Sequence, residues 1–218
     1  MLLTFAEEIL LLFLDDDTGK FENMYYEEFK YALAGAVLMD LALRSRIDTD
    51  LEKLTVVDPT PTGESILDGF LRKISESEED KNTFYWISEI AKSGAEIRDK
   101  ALESLVSRGV LRVEEKKILW VIGVRRYPTV DDTQEKEVRR RIIDLLNSED
   151  IPTPHDVALV SLADTFDLFP QIVGEYEAKK LKPRIEQISK LDLIGQSVSH
   201  VLKRLREIKA DAYVLHPY

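Results

Sequence analysis

The chain has 218 residues, a formal net charge of −11, no cysteine and three histidines. A disulfide framework and any thiolate metal site are excluded, and His155, His200 and His216 lack metal-ligand spacing. The acidic balance argues against a general nucleic-acid binder, whose phosphate contacts need lysine and arginine, so no nucleic-acid partner is expected.

Thr4 and Glu7 form a capping box, so a helix starts near residue 5. Its apolar run, residues 9–14, is the longest in the chain. It is far short of the roughly 20 residues that span a bilayer. The N-terminus also lacks the basic start and cleavage site of a signal peptide, so a cytoplasmic protein that at most rests on a membrane surface is expected. Residues 15–21 read as a turn. The acids Asp15, Asp16 and Asp17 do not make an EF-hand loop, because ligand positions 1 and 12 would fall on Leu14 and Tyr25.

The second helix is expected from Glu27 to Arg44. Phe29, Leu33, Val37 and Leu41 repeat every four residues, and Leu38, Met39 and Leu43 cover other sides, so the helix should be buried centrally. Ala32, Ala34, Gly35 and Ala36 make a stripe of small side chains, read as a close-packing seam. Asp40 is the lone charge in the apolar part; a general acid or base with a shifted pKa is weighed, and an ion pair with Arg44 one turn later is the expected role.

Residues 46–58 suit a short hairpin, and residues 59–74 a loop entering a helix with Thr62 as N-cap. A phosphate at that helix start is weighed and set aside, since the Walker lysine and spacing are missing. Two helices follow the charged loop at residues 75–82. Residues 110–127 read as a second hairpin, with Leu111 and Val113 before the turn and Ile118, Trp120 and Ile122 after it. The remainder is helical. Val138, Ile142 and Leu145 share one face, Thr153 and Pro154 open another helix, and Ile194, Val198, Val201, Leu202 and Leu205 stripe the last.

No low-complexity linker divides the chain, so one domain over residues 1–218 is expected: mainly α, a compact helical domain with two β-hairpins. The stretches beginning at Leu41 and Leu105 echo each other 64 residues apart, aligning Arg44 with Arg108 and Lys53 with Lys117. A helix followed by a two-stranded wing also reads as a winged-helix module, leaving a DNA- or protein-binding regulator as the rival reading. Arg125 and Arg126, beside Tyr127, suit a lipid-headgroup interface, although a solvated loop would look the same. No activated nucleophile or metal set can be assembled, so a non-enzymatic role without cofactor is expected.

Five blocks, "LTFAEEILLLFL", "ALAGAVLMDLALRSRI", "PTGESILDGFL", "LVSRGVL" with its hairpin, and "ALVSLADTFDLF", resemble the Golgi phosphoprotein 3 family in order and spacing over nearly the whole chain. The resemblance implies a peripheral membrane adaptor. Its eukaryotic members recognise phosphatidylinositol 4-phosphate and the cytosolic tails of Golgi glycosyltransferases. The hairpin is implicated there in self-association and membrane contact, which implies a homo-oligomer through residues 110–127 and membrane contact at Arg125 and Arg126. The family's headgroup site uses an aromatic residue before the second helix, a basic residue on it, and two arginines one turn apart before the hairpin. These slots fall on Tyr25, with Tyr26 as neighbour, on Ala34, and on Ala95 and Arg98, with Lys100 nearby. Two cations are therefore gone. At roughly 1.5–3 kcal/mol for each charge-assisted bond, the loss costs about two to four decades of affinity. The chain begins at the first helix, without the basic arm of eukaryotic members, and a prokaryotic relative with a weakened lipid grip is implied.

Overall fold

The computed structural model describes residues 3–14, 26–50, 53–79, 81–118 and 122–215, except the side chains of 26–27, 115–118, 122–125 and 208–215. The capping box ahead of α1 (Phe5–Phe13) closes in both halves. The Glu7 N–H donates to Thr4 Oγ1 at 3.3 Å, and the Thr4 N–H donates to Glu7 Oε2 at 2.7 Å. Every residue of α1 is buried, including Glu7 and Glu8. The helix is enclosed by α2 (Tyr26–Leu43), α5 (Gly94–Ser107), α6 (Thr133–Leu146) and α7 (Pro154–Thr165). Residues 32–34 and 36–41 of α2 are buried as well, so two rods form the centre where the apolar pattern of α2 predicts one.

The small stripe on α2 is a packing seam. A Cβ at Gly35 would stand 2.6 Å from Val198 Cγ2 of α10 (Leu193–Leu215) and 3.3 Å from Leu162 Cδ2 of α7. The absent methyl is therefore space already occupied by two other helices.

The remaining helices are α3 (Ser65–Ser75), α4 (Thr83–Ala91), α8 (Phe169–Val173) and α9 (Glu175–Ser189). Helix α3 starts three residues beyond the expected Thr62 cap. The Thr62 hydroxyl ties the approach loop instead: it donates to Asp68 Oδ1 at 2.7 Å and accepts the Glu64 N–H at 3.1 Å. Thr153 caps α7 as expected, accepting the Asp156 N–H with Pro154 in the first turn.

The two hairpins are β1 (Ile47–Thr49) with β2 (Leu54–Val56), and β3 (Glu114–Ile118) with β4 (Ile122–Arg126). In the second, the expected turn at residues 114–117 is strand. Glu114 and Glu115 lie opposite Arg126 and Arg125, and Ile118 opposite Ile122. Placing glutamates opposite arginines in the sequence register favours this pairing over a reversal at the charged run.

The 64-residue echo is a structural repeat. Helices α2 and α5 end with the same motif: Ser45 and Gly109 adopt positive φ, 56° and 74°. The next residues, Arg46 and Val110, donate back to Leu41 and Leu105. After each hairpin the chain returns to the same carbonyl: Val57 and Asp58 N–H to Arg46, and Val130 and Asp131 N–H to Val110. The left-handed position suits glycine and strains serine. Ser45→Gly is accordingly expected to stabilise the protein by about 0.5–1 kcal/mol, and Gly109→Ser to destabilise it by a similar amount, read from urea unfolding midpoints.

Candidate functional site

The repeat relation brings α2 and α5 together in register and in the same direction. A Cβ on Gly94 would lie 2.5 Å from Lys30 Cβ and 3.0 Å from Lys30 Cα, so the two backbones nearly touch there. Two turns on, Val37 and Ala101 line one cavity. The turn between carries Ala34 and Arg98, the slots that the family resemblance pairs.

Ala34 is completely buried, so no cation could occupy its place without opening the seam. Arg98 is half-buried, with Nε 2.8 Å and Nη2 2.6 Å from Asp99 Oδ1. Ala95 is exposed. Lys30, one turn before Ala34, is half-buried, with its Nζ 5.5 Å from the Tyr31 ring centroid. Sequence reasoning missed Lys30. The signal was present in the 64-residue register, which pairs it with a glycine at the start of α5. Lys30 and Arg98 thus lie about one turn apart along the crossing, near the N-terminal end of α5, whose dipole favours an anion.

Lys100 is two residues from Arg98 and therefore about 200° round the helix. It pairs with Glu96 at 2.8 Å and lines the cavity beside Glu64 and Ser65, so the two cations do not face one site. Tyr25 lies outside the described residues, and Tyr26 opens α2 with its side chain outside them. Arg125 and Arg126 lie on β4. Arg126 is half-buried, with an Nε atom that is enclosed and makes no hydrogen bond.

Polar groups also gather round α1. Asp40 accepts the Phe5 N–H at 2.9 Å on one oxygen and makes the expected ion pair with Arg44, at 3.8 Å, on the other. Burial pushes the Asp40 carboxyl up to about 6, against the lowering pull of the Phe5 N–H and Arg44. Glu7 is 3.5 Å from Arg108. Glu8 meets Arg141 and His155, each at 3.2 Å. Among the described residues no three acids or histidines converge as metal ligands, and no helix is long and apolar enough to cross a membrane.

These features define a mainly helical protein with a duplicated helix–hairpin unit and a cation-bearing crossing between the two repeat helices. The chain belongs to the Golgi phosphoprotein 3 (GPP34) family, which residues 5–205 match. It is similar to vacuolar protein sorting-associated protein 74 of Eremothecium gossypii, 30% identical over 193 residues, covering 79% of this chain and 54% of that protein. It is also similar to the protein of the same name from Schizosaccharomyces pombe, 28% identical over 166 residues, covering 67% and 49%. The chain spans about half the length of these curated relatives.

Proposed function

We propose that this chain is a peripheral membrane adaptor of the Golgi phosphoprotein 3 type, which holds an anionic phosphorylated lipid headgroup of the phosphatidylinositol 4-phosphate kind with low affinity. The observation that carries the reading is the in-register α2–α5 crossing, where Arg98 retains one family cation and Lys30 supplies another beside the closed Ala34 slot. By the family resemblance, Tyr25 or Tyr26 would cover the headgroup, and Arg125 and Arg126 would contact the membrane. The sorting-associated relatives support a role in membrane traffic, with Golgi association as part of the proposal. Lys100 faces the cavity with Glu64 and is left out of the grip.

Liposome co-sedimentation tests this. Vesicles doped with phosphatidylinositol 4-phosphate should retain a small fraction of protein above neutral-lipid background. Arg98→Ala and Lys30→Ala should each weaken retention by about tenfold, the loss of one charge-assisted contact. Equal sedimentation with doped and neutral vesicles would remove the idea.

A further inference from the structure

Helix α5 carries an arginine and an acid in consecutive positions, Arg98 and Asp99. Neighbours on a helix point about 100° apart, so side chains at i and i+1 do not ordinarily face each other. Arg98 nevertheless bends to Asp99: its Nε and Nη2 atoms lie 2.8 and 2.6 Å from the same oxygen, Oδ1. Those two N–H groups form one edge of the guanidinium fork, the edge by which an arginine grips a phosphate with two parallel bonds. The Arg98 side chain is 25% exposed and that of Asp99 57%. The arginine is thus held by its surroundings, whereas the carboxylate has open solvent to turn into. Glu96, three residues before Asp99, is taken up by Lys100 at 2.8 Å.

We infer that Asp99 is an intramolecular competitor for the phosphorylated headgroup: its carboxylate occupies the edge of Arg98 that a phosphate would use, and so sets the affinity of the α2–α5 crossing below what its cations alone would give. The inference rests on the headgroup reading proposed above. Binding is then an exchange, in which the phosphate takes the two Arg98 N–H groups and Asp99 turns outwards into water. The exchange favours the phosphate, because a phosphomonoester brings close to two negative charges against one. It costs little, because an exposed ion pair is weak. After the exchange Asp99 still stands beside the bound anion as a like charge, which weakens the grip again. Asparagine at this position keeps the shape and removes both effects.

The test is co-sedimentation of the whole chain over a range of lipid concentrations, with vesicles doped with phosphatidylinositol 4-phosphate and with neutral vesicles. Asp99→Asn should bind the doped vesicles about two- to fivefold more tightly than the parent. Glu137→Gln makes the same change of net charge at an exposed position on α6, which packs on α1, α7, α8 and α9, and should bind like the parent. The gain should persist when Asp99→Asn is combined with Lys30→Ala and vanish when it is combined with Arg98→Ala, since only Arg98 is released. An Asp99→Asn gain no larger than that of Glu137→Gln, or one that survives the loss of Arg98, would overturn the inference and leave the headgroup reading standing. Parent and Asp99→Asn both at the neutral-vesicle background would remove the headgroup reading, and the inference with it.

Discussion

Replacing Arg141 by methionine should destabilise the protein by about 3 kcal/mol, the low end of the cost of breaking a buried ion pair. The cost arises in α1, not at the site of substitution. Glu8 lies on a helix enclosed on all sides and is 4% exposed. Arg141 Nη1 donates to Glu8 Oε1 at 3.2 Å, and Nη2 donates to Asp156 Oδ1 at 2.9 Å. One guanidinium therefore ties α6 to both α1 and α7. His155 Nε2 stands 3.2 Å from the other Glu8 oxygen, with its ring 4.5 Å from Phe5. Methionine keeps most of the apolar stem and removes the charge, leaving the carboxylate in a low-dielectric interior with its histidine neighbour alone. Urea unfolding should show the lower midpoint, and Glu8→Gln added to Arg141→Met should recover most of it, since a neutral amide tolerates burial better than an uncompensated charge. If the double variant is as unstable as the single one, the loss is packing and the charge argument fails.

The same cluster shows where reading the chain stops. His155 and Asp156 are legible as the first turn of α7, and the capping box fixes the start of α1 within a residue. Both signals are local, because a cap or a proline acts on backbone groups three or four residues away. That Glu8 meets a residue 133 positions later is not a local fact, and no periodicity encodes it. Asp40 is the parallel case. Spacing offers Arg44, and that ion pair forms at 3.8 Å, but the shorter contact is a backbone N–H 35 residues earlier, which spacing does not show. The central position of α2 follows from its apolar circumference, but the equal burial of α1 does not follow from a helix with two adjacent glutamates. The candidate headgroup site divides in the same way. The closed slot at Ala34 follows from residue size. Separating Lys100 from Arg98 needs only the helical angle between them. Lys30 required knowing that α2 and α5 lie side by side, which the 64-residue echo encodes but does not announce.

Asp40→Asn should stabilise the protein above pH 6 and leave it little changed near pH 4. The Asp40 carboxyl, ordinarily near 3.8, stands at about 6 in the fold because burial disfavours its charged form. An acid with a raised folded value keeps its proton more firmly when folded than when unfolded. Its contribution is therefore complete below the unfolded value and is lost as pH rises through the folded one, the reverse of an ordinary salt-bridged carboxylate. A rise of about two units corresponds to about 3 kcal/mol, lost between roughly pH 4 and pH 6 and constant above that. Asparagine can still accept the Phe5 N–H, so the start of α1 stays bonded, and it has no charge to desolvate. Many other carboxylates titrate over the same range, so the informative quantity is the difference in unfolding free energy between the variant and the parent, followed across pH. That difference should open by about 3 kcal/mol on going from pH 4 to pH 7. A variant less stable than the parent at pH 7, with a gap that widens as pH rises, would mean that the ionised carboxylate, held by Arg44 and the Phe5 N–H together, is the form the fold prefers.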